Sequence, residues 1–304
     1  MSEIYDVIII GSGPAGSTAA LYLSRYARKT LVLSSGGGCA LESGIIENWP
    51  GIKNISGMEL STNIQGHAKE YGAEFLLEEV REVKRNKNLY SVSTEKNTFN
   101  SRTIIFANGS LHKKLKIPKE DELTGRGVSY CVTCDGMFYK DKDTVIIGGN
   151  DTAAKAAIYL SEISNSVTIL YRRQKLRCEA VYLNKINLKE NIKIIYDSIP
   201  LEIIGKENVE AIKIKTKTGE EKIIKTDGIF IEIGSNPSSK LAKELGVQCD
   251  GEGYIKVNKK MQTNLPGIYA AGDITDEPLK QLITSSAQGA TAAYSIHEYL
   301  HNLN

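Results

Sequence analysis

Short apolar runs alternate with helical stretches along the first third of the chain, and the same alternation recurs near its middle. Residues 5–10 form a continuous run rich in β-branched side chains, the pattern of a strand buried on both faces of a parallel sheet. A glycine-bearing turn follows. Residues 17–28 then set Ala20, Leu21, Leu23 and Tyr26 at helical spacing with Arg25 and Arg28 late in the segment, and residues 30–33 restore a strand. This predicts a βαβ unit. The second copy has a strand at 144–147, a turn at 148–153, a helix over 152–163 and a strand at 167–170. Between the two, residues 84–105 read as short strands with polar turns. Residues 193–233 form a second β-rich stretch with a turn at Lys217-Thr218-Gly219.

Two nucleotide-type units so far apart predict two related domains rather than one large sheet, and 304 residues are enough for both. The expected order is a first domain over residues 1–112 and 241–304, interrupted by a second over 113–240. Hinges are expected at 108–118 and 234–239. The fold class expected is α/β, with two Rossmann-like three-layer nucleotide-binding domains, the second inserted into the first. With 41% hydrophobic and 24% charged residues the chain reads as globular. A net charge of +2 is too small for a surface that neutralises nucleic-acid phosphates. No run approaches 18 apolar residues, so no membrane partner is expected, and the N-terminus lacks the basic start and cleavage site of a signal peptide. The five cysteines (39, 131, 134, 178, 249) are an odd, sparse set that suits a reducing, cytoplasmic compartment.

Gly11-Ser12-Gly13-Pro14-Ala15-Gly16 lies between a strand and a helix, the context in which G-x-G-x-x-G holds a dinucleotide. Gly11 makes the turn, Gly13 admits the pyrophosphate, and Gly16 lets helix and strand pack. The second strand ends at Ser34 with no carboxylate for an adenosine ribose, a role a serine fills only weakly. Near the C-terminus a short strand runs into Gly272-Asp273, where the carboxylate suits either a ribityl hydroxyl or a helix start.

Cys131-Val132-Thr133-Cys134-Asp135 has three readings: redox, metal-binding or inert. Zinc needs four ligands, and a second such pair is absent from the sequence. Beside a βαβ unit, C-x-x-C points to dithiol–disulfide exchange. A thiol near its ordinary pKa of about 8.5 is only about 3% thiolate at pH 7, and one near 7 is roughly half ionised. An ionised Asp135 would raise the thiol pKa, so its better role is general acid–base, with a plain turn residue as the alternative.

The second turn, Gly148-Gly149-Asn150-Asp151-Thr152-Ala153, carries Asn150 where a glycine would admit a pyrophosphate. Arg172, Arg173 and Arg177 follow the next strand, where arginines suit the 2′-phosphate of NADP or merely a solvated strand end. The two features pull in opposite directions with similar estimated weight, about 1–3 kcal/mol each.

Taken together, GSGPAG at 11–16, GG at 37–38, ENWPG at 47–51, GRGVSYCVTCDG at 125–136, YRRxxxR at 171–177, GIYAAGDI at 267–274 and KQL at 280–282 resemble the low-molecular-weight thioredoxin reductase family over essentially the whole chain. The resemblance implies a homodimeric flavoenzyme. FAD would lie along Gly11–Gly16, Ser34, Gly37, Gly38, Cys39, Asn48, Gly272, Asp273, Lys280, Gln281 and Leu282. NADPH would lie at 148–153 with Arg172, Arg173 and Arg177. It also implies that Cys134 serves the flavin, Cys131 attacks a thioredoxin-like disulfide, Asp135 manages the proton, and the second domain rotates about the hinges. The chain departs from the family at Cys39 (usually Gln), Asn108 (Thr), Asn150 (Gly), Tyr171 (His) and Lys280 (Arg). Cys39 reads as an inert filler rather than a third redox thiol. The departures at Asn150 and Tyr171 keep open a ferredoxin-type donor. A dithiol oxidase using oxygen and a non-catalytic flavin redox sensor are the remaining readings.

Overall fold

The computed structural model describes residues 3–36, 39–42, 45–46 and 48–303. The chain divides into two compact units, Met1–Leu111 with Asn236–Asn304, and His112–Ser235.

The first unit is built on strand β1 (Ile4–Ile10), helix α1 (Pro14–Arg25) and strand β2 (Thr30–Ser34). Helix α1 starts three residues before the expected 17. Pro14 occupies its first turn, where the missing N–H costs nothing, and Ala27 at φ 54° turns the chain just beyond its end. Strand β1 is central and parallel to both neighbours, with Ile8 opposite Leu31 on β2 and Ile104 on the strand Thr98–Phe106. Its alternate side chains serve two layers. Ile8 and Ile10 pack with Leu33, Phe106 and Ile268, whereas Val7 and Ile9 pack with Ala19, Leu23, Ala293 and Ile296 from helices. Each such side chain contributes about 1.5–3 kcal/mol when fully buried, which is why the strand is apolar at every position from Val7 to Ile10 rather than at alternate ones.

The strand Thr98–Phe106 is used twice. Its first half pairs antiparallel with Leu89–Thr94, and its second half pairs parallel with Ile268–Ala270. The C-terminal helix Leu282–His301 lies against α1 so closely that a Cβ on Gly289 would stand 2.1 Å from the Ala15 carbonyl oxygen.

The second unit repeats the plan with β3 (Asp143–Ile147), α2 (Asp151–Ser161) and β4 (Ser166–Leu170). Its five-stranded parallel sheet runs Val128–Ser129, Gly228–Ile231, β3, β4, Ile192–Ile195. The β-rich stretch at 193–233 is therefore not one sheet. Its ends belong to the parallel sheet, and only Ser198–Ile204, Ala211–Thr216 and Glu221–Lys225 form a separate antiparallel sheet.

Candidate active site

At the end of β1 the chain turns through Gly11 at φ 110°, a conformation that favours glycine. A Cβ on Gly11 would stand 2.4 Å from the Ala107 carbonyl oxygen, and one on Gly16 would stand 1.9 Å from the Gly11 carbonyl oxygen. These two glycines let strand, turn and helix meet backbone to backbone. Gly13 is different. It is the N-cap of α1 with no side-chain cap, and among the described residues nothing beyond its chain neighbours lies within 4 Å of where its Cβ would be. No side chain caps the first turn of α1, at the positive end of its dipole, an arrangement that receives phosphate.

Around this turn, Ser12 Oγ donates to Ser34 Oγ at 2.9 Å, which also accepts from the Gly36 N–H at 3.2 Å. Asn108 lies beside the turn, its Cα 2.8 Å from the Gly11 Cβ position. Its Nδ2 donates to the Ser238 carbonyl at 2.7 Å, and its Oδ1 is buried without a hydrogen-bond partner among the described residues. An uncapped helix, an open glycine and an unsatisfied buried acceptor together fit a bound dinucleotide.

The C-terminal motif reaches the same turn. Gly272, at φ 84°, brings its Cβ position within 3.0 Å of Ala15 Cβ. Its N–H donates to Gln288 Oε1 at 2.7 Å, and Ser285 Oγ donates to Asp273 Oδ1 at 3.1 Å. Lys280 Nζ donates to the carbonyls of Asp273, at 3.2 Å, and Thr275, and its burial lowers the ammonium pKa. Asn48 Nδ2 donates to Gln281 Oε1 at 2.9 Å, and Gln281 caps the helix that Leu282 begins. Gly37, Gly38 and the side chain of Cys39 lie outside the described residues. Gln288, which holds the Gly272 N–H, is a residue the sequence did not mark. Its partner is sixteen positions away, and a glutamine inside a helix carries no motif.

In the second unit, Cys131 and Cys134 are joined as a disulfide with their Cα atoms 5.3 Å apart. Cys131 is the N-cap of the helical turn Val132–Asp135, and its Sγ accepts from the Cys134 N–H at 3.2 Å. An N–H on that sulfur favours its thiolate once the bond is reduced. Asp135 is half-buried. Burial raises its carboxyl pKa, and a 2.6 Å hydrogen bond from Ser129 Oγ partly offsets the rise. Ser129 Oγ also accepts from the Cys131 N–H at 3.0 Å, so one hydroxyl ties the carboxyl to the cysteine turn. The Tyr139 hydroxyl is pushed up to about 12 by burial and then by the Asp135 charge. Glu232, deeply buried, is pushed up to about 7 by burial, with the Val132 N–H pulling the other way. Neither Ser129 nor Glu232 was singled out from the sequence. Ser129 stands two residues before the cysteine pair, a signal that was available, and Glu232 had none.

The second glycine turn matches the first at its two ends. A Cβ on Gly148 would stand 2.4 Å from the Glu232 carbonyl oxygen and 2.9 Å from Ala153 Cβ. At the middle it does not match. Asn150 is the N-cap of α2, and its Oδ1 accepts from the Ala153 N–H at 3.0 Å. Gly149 is occupied by packing, with the Tyr171 ring 2.3 Å from its Cβ position. Asp151 Oδ1 accepts from the Glu179 N–H at 2.8 Å, and Thr152 continues the first turn of α2. Arg172 and Arg173 line an open cleft of about 670 Å³ with Lys215, Lys217 and Asp197. Arg177 does not line it. Its backbone N–H donates to the Gly149 carbonyl at 2.6 Å. The arginine cleft fits a phosphate, and the turn does not fit a pyrophosphate.

A dinucleotide turn in one unit, with a disulfide and an arginine-lined cleft in the other, defines a nucleotide-linked disulfide oxidoreductase. Comparison with known proteins agrees. The family described as pyridine nucleotide-disulphide oxidoreductase matches residues 5–292. The thioredoxin reductase of Bacillus subtilis is 42% identical, covering 100% of this chain and 98% of its own length, and that of Listeria monocytogenes is 40% identical, covering 99% and 95%. The crystal structure of thioredoxin reductase from Streptococcus pyogenes superposes with a TM-score of 0.94 at 35% identity, covering 99% of this chain and 100% of that one. The chain belongs to the pyridine nucleotide-disulphide oxidoreductase family and, within it, to the thioredoxin reductases. This family works with a flavin and a nicotinamide nucleotide. No helix among the described residues is long and apolar enough to cross a membrane.

Proposed function

We propose that this chain is an FAD-dependent thioredoxin-disulfide reductase, acting in the cytoplasm as a homodimer on a thioredoxin-like protein. The observation that carries this is the Cys131–Cys134 disulfide set in a helical turn with an N–H on Sγ and an Asp135–Ser129 pair beside it. The segments 1–112 and 241–304 are assigned to FAD and 113–240 to the electron donor, NADPH by the family's chemistry. The flavin supplies two-electron exchange between donor and disulfide. Gly13 and the N-terminus of α1 would hold its pyrophosphate, with Gly11 and Gly16 shaping the turn. Asp273 would take its ribityl chain, and Lys280 and Gln281 would lie along the ring.

Once the disulfide is reduced, Cys131 is the attacking thiolate and Cys134 the flavin-side sulfur. Cys131 Sγ bonds to one sulfur of the substrate disulfide as that S–S bond breaks, and Asp135 gives its proton to the leaving thiolate. Cys134 Sγ then gives up its proton, attacks Cys131 Sγ and breaks the mixed disulfide, which restores the Cys131–Cys134 bond, and that proton passes to the departing second thiolate of the substrate. Two electrons and two protons have then passed to the substrate. Turnover of oxidised thioredoxin by the purified protein tests this reading, with the expected result that Cys134→Ser abolishes it. Equal turnover in that variant overturns it.

A second reading of the donor, a ferredoxin or another one-electron carrier, is favoured by the Asn150 cap, which fills the place of a pyrophosphate.

A further inference from the structure

The two glycine turns of this chain form a natural comparison. Gly13 and Asn150 are both N-caps with nearly the same backbone, φ −67° and ψ −176° against φ −93° and ψ −175°. The first glycine of each turn meets a carbonyl of a neighbouring strand end at the same 2.4 Å. Only the middle position differs. Over α1 the leading N–H groups are left to a ligand, whereas over α2 the Ala153 N–H is already taken by Asn150 Oδ1 at 3.0 Å.

A pyrophosphate arriving at α2 would have to break that bond, displace the amide, and approach a turn whose neighbouring residue, Gly149, is packed under Tyr171. The cleft beyond it is unaffected. Arg172, Arg173, Lys215 and Lys217 outnumber the single acid Asp197, so it retains the charge that suits a phosphomonoester.

We propose that Asn150 closes the second turn to a pyrophosphate, so that this unit grips a nicotinamide nucleotide by its 2′-phosphoadenosine end alone. The inference rests on the reading of the second unit as a nucleotide domain. It makes Asn150 the residue that withholds the pyrophosphate's share of the affinity, through its amide oxygen, and leaves the 2′-phosphate's share to the arginines.

The test is calorimetric titration of the resting, flavin-loaded protein, so it needs no turnover. The probes are NADP⁺ and adenosine 2′-phosphate. Asn150→Gly should tighten NADP⁺ at least about tenfold and leave adenosine 2′-phosphate unchanged, because only the former carries a pyrophosphate. Asn150→Ala removes the same acceptor on a backbone that any residue adopts, without glycine's freedom, and should shift NADP⁺ in the same direction. Thermal melts of both variants show whether α2 holds. An NADP⁺ affinity that stays at the wild-type value in the folded variants, or one that rises in step with adenosine 2′-phosphate, overturns the inference. Thioredoxin reduction by dithionite-reduced wild type is measured alongside. Its failure would count against the reductase reading and leave the Asn150 result standing.

Discussion

At the scale of single residues, the chemistry depends on where protons sit. Asp135 is more basic than an ordinary carboxyl because burial disfavours its charge, and the Ser129 hydroxyl limits the rise. A general acid works while protonated, so thioredoxin reduction should fall as pH rises through that raised pKa. Asp135→Asn should lower the rate by about 100-fold and remove this limb of the pH profile, with bound flavin unchanged. Ser129→Ala removes a hydrogen bond that favours the ionised form, so the limb should move to higher pH. A merely structural role for Ser129 would leave its position unchanged. The cysteines and Asp135 were legible because their roles are written in adjacent residues. Ser129 was within reach of the same motif, whereas Gln288 and Glu232 act on backbone brought to them by the fold, which no local spacing records.

Among the elements, the βαβ units were legible in kind and order, since an apolar run, a glycine turn and a 3.6-residue period encode each one, and the helix expected over 17–28 lies three residues earlier, at Pro14–Arg25. The strand at 5–10 and the observed Ile4–Ile10 differ by one position. What the sequence left open was how residues 193–233 divide between two sheets, because parallel and antiparallel partners impose similar runs on short strands. Helix contacts were also illegible until Gly289 was seen against Ala15. Gly289→Ala should destabilise the first unit by about 1–3 kcal/mol and reduce flavin retention, since its Cβ would meet backbone at 2.1 Å. Gly66→Ala is the contrast. It lies exposed in the helix Gly57–Glu70 with nothing within 4 Å of its Cβ position, so it should stabilise by about 0.5–1 kcal/mol. Chemical denaturation of the two variants beside wild type checks both signs.

For the whole molecule, one buried carboxyl links stability to pH. Glu232 has its pKa raised from an ordinary 4.5 to about 7. Below 4.5 it is protonated in folded and unfolded chains alike, and its contribution is fully present. Between 4.5 and 7 the unfolded chain releases the proton and the folded chain keeps it, so stability declines, and above 7 the loss is complete. The decline should amount to about 3 kcal/mol and be absent in Glu232→Gln, as urea unfolding across that pH range would record.

The central claim is that a bound flavin and the Cys131–Cys134 disulfide form one electron path ending on thioredoxin. The most direct measurement is anaerobic dithionite titration followed by oxidised thioredoxin, which bypasses the donor altogether. The account predicts that wild type takes up about four electron equivalents per flavin, two of them in the dithiol, and passes two to thioredoxin, whereas Cys134→Ser takes up about two and passes none. An uptake of two in wild type, or equal reduction of thioredoxin by the variant, would contradict it.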